Sequence, residues 1–289
     1  MADQNATAPN AQQIEEWNGK TGGKWVRYQD RLDRMLAPFG DAVLKAASIK
    51  SGERVLDVGC GCGATTLEAA ASAGKSGRTL GIDISGPMVA RAKERAAALG
   101  LSADFLVADA ATHAFQPASF DLLLSRFGVM FFDEPAAAFA NIHKGMAKTG
   151  RLAFACWRST KENPWLTTPM RAVLPLLPPQ EPAVPDAPGP FAFADKDRVA
   201  SILATAGFRD IVLTPFDAAA VLGVPESRDP VEDALGQALE IGPLARLLAS
   251  QPDDLRERAK AAVRTELAKH LTADGVKLPG AIWLVTAHA

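Results

Sequence analysis

The stretch Val55-Leu56-Asp57-Val58-Gly59-Cys60-Gly61-Cys62-Gly63-Ala64 constrains this chain more than any other part of it. Apolar residues typical of a buried strand lead into an acid and three alternating glycines. Thr65 to Ala71 then read as the start of a helix. A glycine has no Cβ, so a strand, a glycine-rich turn and a helix in succession let the backbone approach a ligand closely. Turns of this kind hold nucleotide-like ligands at the carboxyl edge of a doubly wound sheet.

The glycine spacing alone is weakly specific, because it also satisfies a loose dinucleotide-binding pattern. Two further signals narrow it. Arg78 to Asp83 read as a second strand ending in an acid, suited to accept hydrogen bonds from both hydroxyls of a ribose. A third strand, Ala103 to Ala108, ends at Asp109, placed to meet an adenine amino group.

Together these glycines and acids resemble the class I S-adenosylmethionine-dependent methyltransferases, in the group that includes the quinone-biosynthesis enzymes. The resemblance covers roughly residues 40–160. It implies a fold and a site. The fold is α/β, a doubly wound, seven-stranded, mostly parallel, Rossmann-like sheet with N-terminal lid helices and a helical cap inserted before the last strand. That last strand would be antiparallel and lie beside the fifth.

The cofactor implied is S-adenosyl-L-methionine. Asp57 would lie near its amino-acid end, Gly59, Gly61 and Gly63 beneath it, and Asp83 on the ribose. Ile84 and Met88 would flank the adenine, Asp109 and Ala110 would hold its edge, and Ser125 would offer a backbone carbonyl to the cofactor's amino group. No residue is singled out as a catalytic base, and no metal is required. Two other functions fit parts of the pattern: a nicotinamide-dependent oxidoreductase and a protein that binds the cofactor without catalysis. Thiol chemistry at Cys60, Cys62 and Cys156 is a weaker alternative, since small residues are ordinary between required glycines.

Thirty-one basic residues against thirty-three acidic ones leave a net charge of −2. That balance argues against a nucleic-acid backbone as the main partner. No apolar run approaches the roughly 20 residues needed to span a bilayer. Three cysteines make no disulfide framework. A soluble, cytoplasmic protein with a small-molecule substrate, monomeric or a homodimer, is therefore expected.

Along the chain, residues 1–13 read as a disordered tail and 14–48 as N-terminal lid helices. Pro38 and Gly40 are expected to close that segment, and Trp25, Tyr28 and Leu32 to share one helix face. Residues 49–216 form the cofactor-binding core. Within it, 159–193 is a proline-rich loop, too long for an ordinary connection. Residues 217–279 read as a helical substrate cap, and 280–289 as the final core strand.

After the fourth strand comes Arg126-Phe127-Gly128-Val129-Met130-Phe131-Phe132, apolar where a surface loop is normally polar. At the ligand edge of such a sheet it reads as the wall of a pocket. The candidate acceptor pocket is therefore Tyr28, Arg126, Phe127, Met130, Phe131, Trp157 and Trp165. Arg126 and Arg158 are the candidates to orient an anionic group on the acceptor.

Overall fold

The computed structural model describes residues 10–178, 184 and 186–289. Most of the predicted tail, and part of the proline-rich stretch, lie outside those residues. The described part opens with α1 (Ala11–Asn18), α2 (Lys20–Arg27) and α3 (Gln29–Ala47). The tail predicted to run to residue 13 thus gives way to helix at Ala11, and Asn10 before it is buried.

Pro38 lies inside α3 and does not end it. An internal proline costs about 3 kcal/mol through its missing N–H and its clash with the preceding turn. Here Leu32, Leu36, Phe39, Val43 and Ala47 all bury themselves along the same helix. At roughly 1.5–3 kcal/mol for each large apolar side chain, that face outweighs the proline.

The core alternates strand and helix except between its third and fourth strands: β1 (Arg54–Val58), α4 (Ala64–Ala73), β2 (Arg78–Asp83), α5 (Gly86–Leu99), β3 (Asp104–Val107), β4 (Phe120–Arg126), α6 (Pro135–Gly145) and β5 (Met146–Trp157). Ser85 caps α5 as its sequence suggests, its hydroxyl accepting from the Met88 N–H. Next come α7 (Pro164–Val173), α8 (Lys196–Thr205), β6 (Arg209–Gly223), α9 (Pro230–Glu240), α10 (Pro243–Ala249), α11 (Asp253–Ala268), β7 (Leu271–Thr272) and β8 (Gly275–His288).

The sheet runs β3-β2-β1-β4-β5-β8-β6, with the two-residue β7 paired to β8 outside that path. The first five strands are mutually parallel, and β8 enters antiparallel between β5 and β6. The mostly parallel sheet with its inserted last strand is therefore present, and the short β7 makes eight strands where seven were expected.

Two boundaries move. The proline-rich stretch holds α7, because Pro164 stands at the first helical turn, where its missing N–H is no loss. The helical cap is shorter than 217–279: β6 extends to Gly223 and β8 begins at Gly275, so the helices between them occupy only Pro230 to Ala268. The pairing of Asp217 to Gly223 with Val276 to Ala281 prolongs the two strands beyond the core.

Candidate functional site

A cavity of about 370 Å³ opens at the carboxyl edge of the strands, between the ends of β1, β2 and β4, helices α1 to α3, and helices α9 and α10. Its floor is the glycine turn. Gly59 has φ +68°, and a Cβ there would stand 2.5 Å from Cα of Gly128. A Cβ on Gly128 would in turn stand 2.5 Å from the Val58 carbonyl oxygen. The turns after β1 and β4 are thus pressed backbone to backbone, which only a pair of glycines permits. The first of these glycines belongs to the turn motif legible in the sequence; the second lies within the apolar loop after β4 and carries no motif of its own.

Of the predicted cofactor residues, Gly59, Gly61, Asp83, Ile84, Met88, Asp109 and Ala110 line this cavity. Asp57, Gly63 and Ser125 do not. Asp57 is fully buried beneath the turn, where its Oδ2 accepts from the hydroxyls of Thr65 and Thr66, both at 2.7 Å. Its Oδ1 is buried with no partner. Burial pushes the Asp57 carboxyl up to about 6, against the opposing pull of the two threonines and Arg126. Gly63 faces Ala92 and Phe105 as the cap of α4, and the Ser125 hydroxyl donates to the Val58 carbonyl.

Asp83 ties two turns together. Its Oδ2 accepts from the Gly61 N–H and its Oδ1 from the Ser85 N–H, each at 2.8 Å. Burial raises its pKa, and these backbone donors oppose the shift. Each carboxylate oxygen retains a further acceptor site.

Asp109 accepts from the Ala111 N–H through Oδ1 and from the Asn10 side chain through Oδ2, both at 2.8 Å. Asn10 also donates its backbone N–H to Asp133 and accepts from the Asp133 N–H. It therefore clasps the N-terminal segment to the β3 and β4 ends. Asp133 is spent on this clasp and does not cap α6. Farther along, the Ser85 hydroxyl donates to the Trp17 carbonyl, and Asn18 bonds to both Ile84 and Gly86. Neither asparagine stood out in the sequence, because both act across more than sixty residues.

The other end of the cavity is aromatic. Phe127, Met130, Phe131, Trp157 and Trp165 all line it. Phe127 stacks on Trp157 with centroids 4.1 Å apart and planes within 5°, and Trp157 meets Phe39 edge-on and Trp165 at a tilt. Gly280 of β8 lets this cluster lie flat on the sheet, since a Cβ there would stand 2.7 Å from Phe39. Phe127 holds φ +66°, a region that a non-glycine residue of this size rarely adopts.

Tyr28 is the one predicted pocket residue outside the cavity. It falls in the break between α2 and α3, and its ring lies near Arg27 and Arg31. Backbone bonds from the Tyr28 N–H to Lys24 and from the Leu32 N–H to Tyr28 carry the helical turn through this junction. Trp25, Tyr28 and Leu32 pack against one core, so the shared face turns to the core and leaves Tyr28 off the cavity. Arg126 does line the cavity, whereas Arg158 pairs with Glu162 and Asp217 and lies over the Trp283 ring. Gln237 of α9 also faces the cavity, 4% exposed, with its Oε1 unpartnered. Periodicity could have marked only its helix.

The three cysteines are buried and unpaired in disulfides. Burial pushes Cys62 up to about 12 and raises Cys60 and Cys156 well above the ordinary thiol range. A thiol held protonated is a poor nucleophile, which removes the support for thiol chemistry. Among the described residues, no helix is long and apolar enough to cross a membrane.

Residues 55–150 match the family model described as a methyltransferase domain. The chain is 34% identical over 163 residues to an aklanonic acid methyltransferase of Streptomyces sp. (strain C5), covering 55% of this chain and 69% of that one. In structure it is similar to the YcgJ protein of Bacillus subtilis (TM-score 0.55, 14% identity, 86% of this chain and 97% of that one). It is likewise similar to a Haemonchus contortus phosphoethanolamine N-methyltransferase 2 bound to phosphomonomethylethanolamine and S-adenosylhomocysteine. That likeness has a TM-score of 0.51 at 18% identity and covers 87% of this chain and 52% of that one.

Proposed function

The chain belongs to the class I S-adenosylmethionine-dependent methyltransferases, and from that premise we propose that it methylates a small, apolar or aromatic acceptor within this one cavity. The observation that carries the acceptor class is the aromatic wall: five predicted side chains converge on the same space as the glycine turn and the two strand-end acids. The Streptomyces relative is named for methylation of aklanonic acid, which agrees with an acceptor of this class.

Bound S-adenosylmethionine supplies a methyl group already activated on a sulfonium. What remains for the chain is to bind, align and keep dry. In this assignment Gly59 and Gly61 give backbone room to the cofactor, and Asp83 receives the ribose hydroxyls on its free acceptor sites. Asp109 holds the adenine edge between Ile84, Met88 and Ala110. The orphaned Oδ1 of Asp57 favours a cationic or hydrogen-bonding group above the turn, as the cofactor's amino-acid end provides. Gly63 and Ser125 serve by shaping the turn and not by contact.

Phe127, Met130, Phe131, Trp157 and Trp165 would then hold the acceptor so that its nucleophile lies in line with the bond that breaks. Helices α1 and α2, clasped through Asn10 and Asn18, act as a lid, and α9 to α11 as the substrate cap.

The test is thermal stabilisation by ligands, since a ligand that binds only the native state raises its melting temperature. S-adenosylhomocysteine should stabilise the protein by several degrees, and NAD and NADP should not. A larger shift with NAD would restore the oxidoreductase alternative. Methyl transfer from labelled cofactor to a panel of small aromatic compounds then separates an enzyme from a binding protein. Transfer only to proteins or nucleic acids would overturn the acceptor class.

A further inference from the structure

Arg126 is the residue whose placement the assignment above leaves unexplained. It is the last residue of β4, immediately before Phe127, and its side chain is 13% exposed. The stem crosses α3 at Gly40, where a Cβ would stand 3.5 Å from both Cδ and one terminal nitrogen. Among the described residues its guanidinium has a single ion-pair contact, Asp33 Oδ1 at 3.9 Å, beyond hydrogen-bond distance.

Asp33 is shared with other donors. Its Oδ2 already accepts from Gln29 at 2.6 Å and from Arg95 at 2.8 Å, so one carboxylate stands between two guanidiniums. A guanidinium carries five N–H donors, and leaving them unmatched while buried is costly unless something else meets them.

A second unmatched group faces the same space. The Gln237 carboxamide, buried against Met35 of α3, has no partner for its oxygen. Among the described residues, no histidine lines the cavity. Its carboxylates are engaged: Asp83 by two backbone N–H groups, Asp109 by Asn10, Asp33 by Arg95, and Glu240 by Lys24 at 3.3 Å.

We propose that Arg126 is the receptor for an oxyanion on the acceptor, so that the substrate is an aromatic or alicyclic acid, with Gln237 hydrogen-bonding the adjoining polar group. This deepens the methyltransferase assignment and rests on it. An ionised carboxylate fits the planar fork of arginine with two parallel hydrogen bonds. It also needs no base. A lone pair of the oxyanion forms the new O–C bond, and the pair of the C–S bond returns to sulfur. One negative and one positive charge cancel, and no proton moves. The neutral ester then has no charge to hold it at Arg126, which favours its release.

The experiment uses the full chain saturated with S-adenosylhomocysteine and aromatic acids of one to three fused rings, each paired with its own carboxamide. Binding is read by quenching of tryptophan fluorescence, with Trp157 and Trp165 in the wall. At least one acid should bind tenfold or more tightly than its amide, and Arg126→Gln should erase that preference. Arg126→Lys, which keeps the charge and loses the fork, should retain part of it. Acids and amides binding alike, neither binding, or a preference that survives Arg126→Gln would each overturn the proposal.

So would a different outcome: Arg126→Gln weakening S-adenosylhomocysteine tenfold while sparing 5′-methylthioadenosine, which lacks a carboxylate. That result would give the guanidinium to the cofactor. Failure of the wild-type protein to bind S-adenosylhomocysteine at all would instead remove the methyltransferase assignment beneath it.

Discussion

Asp57→Asn tests the electrostatics beneath the glycine turn. The Asp57 carboxyl is raised from the ordinary 3.8 to about 6 by burial, and its Oδ1 has no partner. A shift of that size corresponds to about 3 kcal/mol between the two charge states. The native state holds the proton more tightly than the unfolded chain. The contribution to stability is therefore complete below pH 3.8 and is lost as pH rises through 6. Of the total, about 2 kcal/mol falls between pH 4.5 and 7.5.

Asparagine does not titrate. With its oxygen in the place of Oδ2, it keeps both threonine hydrogen bonds. Its amide nitrogen then lies where Oδ1 is orphaned, and that unmatched donor adds a penalty that does not vary with pH. The assay is urea denaturation of both proteins, without ligand, at intervals from pH 4.5 to 7.5. The stability of Asp57→Asn relative to wild type should rise by about 2 kcal/mol across the range. Groups common to both proteins cancel in the difference. Parallel curves would refute the buried, strained carboxylate, and a relative fall with rising pH would reverse the sign of the reasoning.

Three further substitutions probe the cavity. Asp83→Ala should weaken S-adenosylhomocysteine by at least about a hundredfold in titration calorimetry, from the loss of charge-assisted hydrogen bonds. It should also lower the ligand-free melting temperature, because Asp83 anchors the Gly61 and Ser85 turns; near-normal affinity would remove it from the site. Asn10→Ala should speed S-adenosylhomocysteine dissociation in stopped-flow fluorescence by about fivefold, corresponding to roughly one net hydrogen bond of about 1 kcal/mol. An unchanged rate would mean that the clasp does not govern the lid. Trp165→Ala should slow turnover on small aromatic acceptors and spare cofactor affinity; Trp157 is the poorer choice, being 3% exposed, so its loss would open a void in the core.

How far these residues could be read in advance depends on the distance over which they act. The turn from Asp57 to Gly63 and the acids Asp83 and Asp109 were legible because strand, turn and acid are neighbours in the chain. The antiparallel entry of the last strand came from the resemblance and not from periodicity. Pro38 and the prolines after Ser159 misled because local propensity is a weak prior, overridden in α3 by a long buried face. Tyr28 shares a face with Trp25 and Leu32 as their spacing suggests, but that face packs against the core, and spacing alone does not say whether a face meets core or pocket. Asp133 precedes α6 in the chain, yet its carboxylate goes to Asn10, more than a hundred residues away.

The unmatched polar atoms carry information that no pattern along the chain contains. Each buried group without a partner costs on the order of 1–3 kcal/mol, a sizeable share of a domain's net stability. Orphan status alone marks nothing, since Thr79 Oγ1 and His143 Nε2 are also unmatched and lie outside this cavity. What singles out the site is convergence. Asp57 Oδ1 lies beneath the glycine turn and Gln237 Oε1 faces the cavity, while the Arg126 guanidinium, which also lines it, has among the described residues only the 3.9 Å approach of Asp33 as an ion pair. Their chemistries also differ in a useful way: an acceptor beneath the turn suits a cation, and a guanidinium beside the aromatics suits an anion. A positively charged cofactor and a negatively charged acceptor would satisfy both at once.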